Sequence, residues 1–434
     1  MVISVKVKDF KVRKEDGRVL IRKADNRNLL SISEQLHSEL VELRTHGKLR
    51  KEQYEIRKKV WDVLHNLGFV EIDTYIENTI DSLRSNPLGR FSVNSRIAPI
   101  SILWAISSQC NLSCIYCYPD LRKDTSCTPQ ISFEKVMLIA ENIVTSGVLF
   151  VTLSGGEIMM RRDIWQVIDY LQSNLVEVSL ISNGTLINRN IAKEIARRDL
   201  NIAVSLDASL AQTHDLLRGQ NTHQRAVRGI RYLLEEKCKL NLACAVTKNN
   251  IDDVDELASF AHSLGVDGIV LQELRPFGGP EQFDFYRPSV EQENHLFAVT
   301  LPKLRRKYPN MYFNSTELGA FCHSKLSKRD RNKMECGAGE RQAYISAEGD
   351  IYPCSNLVYP ELKLGNAIDS SFLNIWRQNE RLKAFVDFCN RPVKELPHCL
   401  ECEKNSQCNG GCRGEALFYS GDIMGRAARC SEVR

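Results

Sequence analysis

Three cysteines stand close together at Cys110, Cys114 and Cys117, within eight residues of one another. Thiols at this spacing let one loop bind three corners of a four-iron, four-sulfur cubane. Three protein ligands leave one iron of such a cluster open, and an open iron can bind a substrate or cofactor. A structural zinc site is usually closed by four protein ligands, and the neighbouring sequence offers no clear fourth. The spacing therefore indicates an iron–sulfur cluster with one open position.

A second group of cysteines lies toward the end of the chain. Cys336 is followed after twelve residues by Gly349 and after four more by Cys354, and a later run has the spacing C-x2-C-x5-C-x3-C-x17-C. A CxxC pair with two further cysteines nearby also occurs in zinc sites, so zinc is the alternative for this region. The later run consists of Cys399, Cys402, Cys408, Cys412 and Cys430.

The 434 residues include 15 cysteines, an odd number that cannot be fully paired as disulfides. Met1 to Phe10 lacks the apolar stretch of a signal peptide, and no apolar run approaches the roughly 18 residues that a membrane span needs. We therefore expect a cytoplasmic protein whose clustered thiols bind metal. Cys127, Cys238 and Cys244 have no motif around them and are expected to be small buried hydrophobic residues.

The overall composition is that of a soluble globular protein, with 43% hydrophobic and 26% charged residues. The 58 basic and 54 acidic residues give a formal net charge of +4. This balance does not require nucleic acid or an anionic membrane as a partner. At roughly 100–200 residues per domain, the length predicts two to four domains.

Polar residues come directly after three apolar runs. Leu153-Ser154-Gly155-Gly156-Glu157 follows one run, Ser182-Asn183-Gly184-Thr185 follows the next, and Ser205-Leu206-Asp207 ends the third. In a barrel of parallel strands the loops after the strands share the C-terminal face, where active sites are built. We therefore expect these residues to converge on the cysteine loop.

Residues 100–275 alternate runs typical of strands with amphipathic stretches typical of helices. This alternation predicts a parallel sheet with right-handed crossovers. Six strand–helix units are fewer than the eight of a closed barrel, so the predicted fold is α/β, a partial (β/α)6 TIM-like barrel. The predicted strands are Ile100–Ser107, Val148–Leu153, Val176–Ile181, Ile202–Leu206, Leu240–Val246 and Gly268–Leu274, and the clearest helices are Phe133–Val144, Ile187–Arg197, Gln224–Glu235 and Val254–Leu264.

Four parts of the chain are predicted. Residues 1–95 form a small separate domain, residues 96–275 the partial barrel, residues 276–330 a bridging region and residues 331–434 a cysteine-rich domain. The last part has few long apolar faces, so we expect its fold to depend on metal.

The first part has the order of elements of a winged-helix domain, a hairpin followed by helices and a closing strand. The hairpin is predicted to turn around Lys14-Glu15-Asp16-Gly17. The predicted elements are strands Ile3–Val12 and Arg18–Ile21, a helix from Ser31 to Arg44, a helix Gln53–Leu67 and a short strand Phe69–Ile72.

The residues around the first cysteines resemble a known family. The segment Cys110-Asn111-Leu112-Ser113-Cys114-Ile115-Tyr116-Cys117 matches the CxxxCxΦC motif of radical S-adenosylmethionine (SAM) enzymes, with Tyr116 as the aromatic residue. Gly155-Gly156-Glu157 resembles the GGE motif of that family, which holds the methionine amino group. The resemblance covers roughly residues 100–275. Further positions resemble those that contact the methionine carboxylate or the ribose, namely Ser182, Asn183, Ser205, Asp207 and Arg218.

This resemblance implies a specific chemistry. The open iron would chelate the amino and carboxylate groups of SAM, and an electron from the cluster would cleave the sulfonium. The resulting 5′-deoxyadenosyl radical would abstract a hydrogen from the substrate. The cofactor supplies the radical chemistry, while the protein positions it and excludes competing reactions.

The later cysteines resemble the seven-cysteine pattern of SPASM domains, which bind two auxiliary 4Fe–4S clusters. The resemblance implies three clusters in all, and it assigns Cys336, Cys354 and Cys412 to the first auxiliary cluster. The second would be bound by Cys399, Cys402, Cys408 and Cys430. Two clusters need eight ligands and the pattern gives seven. Cys322, fourteen residues before Cys336, is the first candidate for the eighth and Cys389 the second; alternatively, the first auxiliary cluster has an open iron.

The first domain resembles the leader-peptide recognition domains of enzymes that modify ribosomally made (RiPP) peptides. Such domains are small winged-helix units that bind a leader as an added strand on their hairpin edge. A DNA-binding winged helix is the alternative, because the stretch from Arg44 to Lys59 is basic. A solvated helix face explains those charges as well, so nucleic acid is not expected as a partner.

The predicted function is a radical SAM peptide maturase that installs a carbon–carbon or carbon–sulfur cross-link in a precursor peptide. Sulfatase-maturing relatives have an aspartate straight after the second cysteine of the SPASM pattern, whereas Cys354 is followed here by Ser355 and Asn356. The reducing partner would be a flavodoxin or ferredoxin. Alternatives are a radical enzyme acting on a protein or small molecule, and a non-enzymatic iron–sulfur regulator that binds DNA. No side chain can be named as catalytic base from the sequence.

Overall fold

The computed structural model gives the protein's backbone over most of its length. The residues that it describes are 2–7, 10–15, 18–23, 29–46, 48–50, 61, 64, 69–72, 98–117, 130–274, 280–316, 336–402, 410–427 and 430.

A single ten-stranded sheet forms the centre of the molecule. Seven of its strands run parallel and lie side by side in chain order, because each is followed by a connection that returns to the same end of the sheet. These strands are β7 (Ser101–Ser107), β8 (Phe150–Gly155), β9 (Glu177–Ser182), β10 (Asn201–Ser205), β11 (Lys239–Val246), β12 (Gly268–Glu273) and β13 (Tyr312–Thr316).

The six predicted strands are confirmed to within a few residues, and the sheet has a further parallel strand that the sequence did not predict. The seventh parallel strand, β13, pairs with β12 from Gly268 opposite Tyr312 to Gln272 opposite Thr316. It lies in residues 276–330, which are predicted to be a bridging region. Its five residues, Tyr-Phe-Asn-Ser-Thr, contain too few apolar side chains to stand out as a buried strand, and only the long-range pairing defines it.

The sheet continues beyond β7 into the cysteine-rich part of the chain. Strand β14 (Gln342–Ile345) pairs parallel with β7, and β15 (Asp350–Tyr352) and β16 (Gly365–Asn366) follow in antiparallel order. One hydrophobic core therefore spans both parts, and Phe372 and Trp376 of the tail are buried in it. The expectation that the tail has little apolar surface of its own to bury is wrong for the described residues.

Successive side chains of the strands serve opposite faces, as in any pleated strand. In β8, Val151 and Leu153 are buried in the core beneath the helices, while Thr152 and Ser154 face the interior cavity described below. The core is built mainly of aliphatic residues from the outer faces of the strands and the inner faces of the helices. This arrangement leaves the opposite face of the sheet available for polar side chains.

Helices cover the outer face of the sheet. All four predicted helices are found, and Val254–Leu264 has the predicted bounds. The helix at Phe133 begins where Ser132 accepts a hydrogen bond from the Lys135 amide, a typical N-cap. The helices are α1 (Glu34–His46), α2 (Phe133–Thr145), α3 (Ile164–Ser173), α4 (Arg189–Arg197), α5 (Ala211–Arg218), α6 (Thr222–Glu235), α7 (Val254–Leu264), α8 (Pro280–Tyr286), α9 (Val290–His295), α10 (Leu301–Lys307), α11 (Phe372–Gln378), α12 (Glu380–Cys389) and α13 (Arg413–Ser420).

The N-terminal part contains two three-stranded sheets, ordered β5-β1-β6 and β2-β3-β4, and the helix α1. The predicted first strand, Ile3–Val12, is in fact two strands, because the charged pair Lys8-Asp9 shifts the apolar alternation by one residue. The predicted hairpin is formed by the second of them with the next strand. The strands are β1 (Val2–Val7), β2 (Phe10–Glu15), β3 (Arg18–Lys23), β4 (Leu29–Ser33), β5 (Lys48–Arg50) and β6 (Val70–Ile72).

Two further expectations concern this part. The predicted strand at Phe69–Ile72 is confirmed as β6, which pairs with β1. The predicted helix Gln53–Leu67 lies outside the described residues except for Trp61 and Leu64, which are helical and buried. The winged-helix assignment stays a prediction. Within the described ranges, no helix is both long enough and apolar enough to cross a membrane.

Candidate active site

The loop that carries Cys110, Cys114 and Cys117 leaves the C-terminal end of β7 and packs on α5. The Ile115 amide donates a hydrogen bond to the Leu217 carbonyl at 3.0 Å, and the Cys117 amide donates to the Cys114 carbonyl at 3.1 Å. These bonds turn the loop so that all three thiols line the same cavity, each of them partly exposed. The structure thus brings the three cysteines of the motif to one cavity.

The two glycines of the Gly-Gly-Glu segment hold the start of this loop. The Gly156 amide donates to the Ser107 carbonyl and the Glu157 amide donates to the Gln109 carbonyl, both at 2.7 Å. A Cβ on Gly156 would lie 2.1 Å from the Gln109 oxygen, and one on Gly155, whose φ is +125°, would lie 2.2 Å from the Ser107 oxygen. Any side chain at either position would displace the backbone just before Cys110.

The Glu157 carboxylate lies behind the cavity wall. It is fully buried and accepts hydrogen bonds from the Ser182 hydroxyl at 2.8 Å and from the amides of Asn183 at 2.8 Å and Met159 at 3.1 Å. Burial raises the pKa of this carboxyl, although the hydrogen bonds act to lower it. The side chain thus fixes the loop after β9, and among the described residues it is the glycines of the motif that line the cavity.

Asn183 connects that loop to the cysteines. Its side-chain amide donates to the Asn111 oxygen at 2.9 Å and lies 3.9 Å from the Cys110 sulfur, while its oxygen accepts from the Thr185 amide and hydroxyl. Asn111 in turn donates to the Thr185 hydroxyl at 2.9 Å. Asn111 and Thr185 were not among the predicted site residues, although both stand within motifs that were.

Asp207 is the centre of a buried ion-pair network. Its carboxylate accepts from the Arg218 guanidinium at 2.6 and 3.1 Å, from the Ala245 amide at 3.0 Å and from the Tyr116 hydroxyl. Burial acts to raise the pKa of this carboxyl, but the Arg218 charge and the hydrogen bonds outweigh it, so the pKa is lowered. The Arg218 guanidinium also lies over the Tyr116 ring, 5.5 Å from its centre.

Two residues that the sequence did not reveal form hydrogen bonds with the Asp207 backbone. The Asp207 amide donates to Nδ1 of His214 at 3.1 Å, and the Asn250 side chain donates to the Asp207 carbonyl at 2.8 Å. Burial lowers the pKa of His214 to about 4, so the imidazole is neutral near pH 7. Neither residue belongs to a motif, and a lone histidine or asparagine gives no signal of this role in a single sequence.

The converging loops enclose a cavity of about 510 Å³. This volume is within the range of about 300–1,000 Å³ for small-molecule sites. The cavity reaches from the cysteine loop to Cys354, Ser355 and Asn356 of the tail. Predicted site residues that line it are Cys110, Cys114, Cys117, Tyr116, Gly155, Gly156, Ser182, Asn183, Ser205 and Arg218, and Gln272, Glu273 and Gln342 line it in addition.

Of the predicted cofactor contacts, Glu157 and Asp207 alone are absent from that lining. Both are carboxylates whose oxygens are occupied by protein donors. Their position at strand ends was predicted from the sequence, but the direction of each side chain depends on neighbours that are distant in the chain. We assign them to positioning Asn183 and Arg218, which do face the cavity.

The tail thiols gather at the far side of this cavity and beyond it. Cys354 lines the cavity, and Asn356 donates from its side-chain amide to the Cys412 sulfur at 3.5 Å. Cys399, Cys412 and Cys430 line a second, smaller cavity of about 30 Å³. Cys408 and Cys322 lie outside the described residues, so their predicted roles as ligands stay predictions.

The donor set fits iron–sulfur clusters better than single metal ions. Among the residues that the structure describes, no three His, Cys, Asp or Glu side chains converge as a mononuclear metal site would require. The thiolates of a cubane each bind a different iron, so they lie around a larger volume. Burial raises the pKa of Cys110 and, to about 11, that of Cys114. Both thiols must lose their protons when iron binds.

Comparison with known proteins agrees with this geometry. The sequence pattern of the radical SAM superfamily matches residues 104–261, and that of the SPASM iron–sulfur cluster-binding domain matches residues 336–408. The chain therefore contains a radical SAM domain followed by a SPASM domain. It is therefore an enzyme of the radical SAM type with a SPASM domain, and these domains bind S-adenosylmethionine and iron–sulfur clusters. The resemblance drawn from the sequence motifs is confirmed, and the zinc alternative for the tail is set aside.

Curated relatives of this radical SAM protein differ in what they make. The chain is 28% identical over 340 residues to the mycofactocin maturase MftC of Mycolicibacterium smegmatis, covering 77% of this chain and 83% of that protein. It is 25% identical over 350 residues to the AdoMet-dependent heme synthase of Methanosarcina barkeri, covering 77% of this chain and 96% of that protein.

Among solved structures, Streptococcus suis SuiB has the same fold along almost the whole chain. The SuiB structure bound to S-adenosylmethionine has a TM-score of 0.70 at 17% identity, covering 98% of this chain and 99% of that one. A second SuiB structure, bound to the precursor peptide SuiA, has a TM-score of 0.71 and covers 98% of this chain and all of that one. At this identity the likeness concerns the fold alone.

Proposed function

We propose that this radical SAM enzyme is a peptide maturase. It abstracts a hydrogen from a ribosomally made precursor peptide and installs a carbon–carbon or carbon–sulfur cross-link. Three 4Fe–4S clusters would serve it, one in the cysteine loop of residues 110–117 and two in the SPASM domain. A flavodoxin or ferredoxin would supply the reducing electron.

The observation that best supports this proposal is that one cavity is lined both by the cysteines of the radical SAM motif and by a cysteine of the SPASM pattern. Cys110, Cys114 and Cys117 line one part of it, and Cys354 of the SPASM domain lines another. A substrate held there would lie beside the radical source and also beside an auxiliary cluster. That arrangement suits an oxidation in which the hydrogen atom and the remaining electron leave the substrate in different directions.

Several residues of this chain would bind S-adenosylmethionine, and they would contact different parts of it. The backbone of Gly155 and Gly156 and the Asn183 side chain face the cavity beside the thiols, where polar groups can bind an amino acid moiety. Arg218 presents a positive charge to the same cavity, which suits a carboxylate. When bound, the cofactor and the reduced cluster supply a radical that takes a hydrogen atom from the substrate.

The net reaction is balanced by the auxiliary clusters. Forming one cross-link removes two hydrogens from the peptide. One leaves as the atom abstracted by the radical, and the other leaves as a proton and an electron. Because the cavity reaches Cys354, an auxiliary cluster bound by Cys354 would accept that electron.

The N-terminal part supports a peptide substrate rather than a small one. The SuiB structures match 98% of this chain, so the fold likeness includes strands of residues 1–95. In the described part of the sheet β2-β3-β4, β2 is an edge strand. An extended leader peptide can add to such an edge through backbone hydrogen bonds.

The proposal is tested with the full-length, cluster-loaded enzyme, S-adenosylmethionine, a reductant and the precursor peptide encoded next to its gene. We expect mass spectrometry to show a product that has lost two hydrogens per cross-link. The same peptide without its leader is the matched control and should react at least about tenfold more slowly, because its local concentration at the site falls. An unchanged peptide mass under conditions where the cofactor is cleaved would contradict the proposal.

A small-molecule substrate is the second candidate, since AdoMet-dependent heme synthases are among the relatives. It predicts that neither the full peptide nor the leaderless one changes mass. The radical SAM domain argues against a non-enzymatic regulator that binds DNA, because such domains belong to enzymes.

A further inference from the structure

The SPASM pattern supplies seven cysteines, and two clusters held only by thiolates need eight. We propose that Cys389, at the end of α12, is the missing ligand and completes the first auxiliary cluster with Cys336, Cys354 and Cys412. This inference rests on the SPASM domain and is independent of which substrate the enzyme modifies.

Cys389 lies among the thiols already assigned to that cluster. Its side chain is hydrogen-bonded to Cys336 and interacts electrostatically with Cys354. Cys412 interacts electrostatically with Cys336 as well. The Asn356 side chain, two residues after Cys354, donates to the Cys412 sulfur at 3.5 Å. Four thiols from four separate segments are therefore neighbours in one small region.

Backbone packing around Cys389 fixes its position close to the other thiols. The loop after Cys336 packs on α12, since a Cβ on Gly339 would lie 2.7 Å from Leu382 and 3.3 Å from Val386. The same loop is tied to the other ligand segment by the Gly339 amide, which donates to the Pro353 carbonyl at 2.9 Å. Helix α12 thus holds its last residue beside the segments that carry Cys336 and Cys354.

A positive charge is buried against the same thiols. The Arg413 guanidinium interacts electrostatically with Cys412, Cys389, Cys399 and Cys336. It donates to the carbonyl of Gly410 and, at 3.0 Å, to those of Ile423 and Gly425, and the residue is 2% exposed. A cubane bound by four thiolates carries net negative charge, and a fixed guanidinium offsets part of it.

The simpler reading of Cys389 is a small buried side chain. It is 2% exposed and packs with Phe385 and Val386 in the main core. Cys238 and Cys244 are buried in the same core, but their hydrogen bonds do not involve thiols. Cys238 donates a hydrogen bond to a backbone carbonyl. Cys244 donates to a backbone carbonyl and accepts from an asparagine side-chain amide. Cys389 is instead hydrogen-bonded to the thiol of Cys336, a member of the SPASM cysteine pattern. This contact distinguishes Cys389 from the two cysteines that only pack in the core.

The consequence is functional. With Cys389 bound, the first auxiliary cluster has no open iron, so it exchanges electrons and does not bind substrate. The radical cluster alone then keeps an open position. Cys322, the first candidate from the sequence, is not needed as a ligand.

The test uses the full-length protein with Cys110, Cys114 and Cys117 replaced by Ala, so that only the auxiliary clusters remain. The reduced protein is examined by electron paramagnetic resonance with and without added cyanide, which binds an open iron. We expect about eight irons per chain, four for each cubane, and a spectrum that cyanide does not change. No peptide or S-adenosylmethionine is present, so the result does not depend on the proposed function.

In that background Cys389→Ala should create an open iron, seen as a new cyanide-dependent signal. Cys389→Ser keeps nearly the same volume and should retain the iron while shifting the signal of one cluster, because serine would bind iron through oxygen. If Cys389→Ala loses about four irons instead, the serine variant decides. Cys244→Ala and Cys322→Ala are the controls and should match the parent.

Three results would overturn the assignment. The first is a parent spectrum that already changes with cyanide. The second is a Cys389→Ser spectrum identical to that of the parent. The third is a cyanide-dependent signal that arises in Cys322→Ala and not in Cys389→Ala.

Discussion

Replacing Asp207 with Asn should destabilise the protein more than any change at its surface ion pairs. The Asp207 side chain is 0% exposed and the side chain of its partner Arg218 is 11% exposed. The Asn variant keeps the size of the side chain but leaves the Arg218 charge buried without its counter-ion. Removing one partner of a buried pair costs about 3–5 kcal/mol, because the remaining charge is poorly solvated.

The assay is urea unfolding of the cluster-loaded protein without oxygen, followed by circular dichroism. The free energies can be compared if the slopes of the transitions agree. Asp199→Asn is the matched control, since its pair with Lys239 at 2.5 Å is exposed, with side-chain exposures of 72% and 51%. That change should cost about 1 kcal/mol at most, and asparagine tolerates the φ of +50° at this position.

The same variant should weaken binding of S-adenosylmethionine, because Arg218 loses the carboxylate that aims it into the cavity. Binding is measured by titration of the oxidised, cluster-loaded enzyme. An Asp207→Asn protein whose unfolding free energy and cofactor affinity both match those of Asp199→Asn would refute the role given to this ion pair.

Two further predictions concern the residues around the site. His214 has a folded pKa of about 4 against 6.5, so the unfolded chain takes up its proton first and stability falls as pH drops from 6.5 towards 4. At pH 5 this is a loss of about 2 kcal/mol relative to pH 7.5; urea unfolding of His214→Asn should lack this component, and an unchanged pH dependence would contradict it. Gly156→Ala places a Cβ 2.1 Å from the Gln109 oxygen and should displace the cysteine loop. Iron analysis of this variant should therefore show about four irons fewer, which is the content of one cubane. Gly337→Ala is the control and should retain all its iron, because its Cβ would lie 3.9 Å from its nearest neighbour.

The candidate metal ligands were largely recognisable from the sequence. A short cysteine motif such as that of Cys110 to Cys117 is local, and its spacing alone restricts the ligand geometry. The strands of the barrel were also predicted within a few residues, because a buried parallel strand is a nearly continuous apolar run. The structure then placed Cys110 and the glycines of the Gly155-Gly156 pair in one cavity.

Long-range packing explains what the sequence did not reveal. Strand β13 is a strand because it pairs with β12, forty or so residues earlier, and its own five residues give little sign of it. The carboxylates of Glu157 and Asp207 were placed correctly at strand ends, but each turns away from the cavity to partners that folding brings close. Cys389 stands outside every spacing rule, and only the position of α12 brings it to Cys336.

The most direct test of the account follows S-adenosylmethionine cleavage and peptide mass in one reaction. The full-length enzyme with the precursor peptide should release one 5′-deoxyadenosine for each pair of hydrogens that the peptide loses. The variant with Ala at Cys110, Cys114 and Cys117 should do neither. Cofactor cleavage that proceeds while the mass of the peptide stays unchanged would contradict the claim that this enzyme matures a peptide.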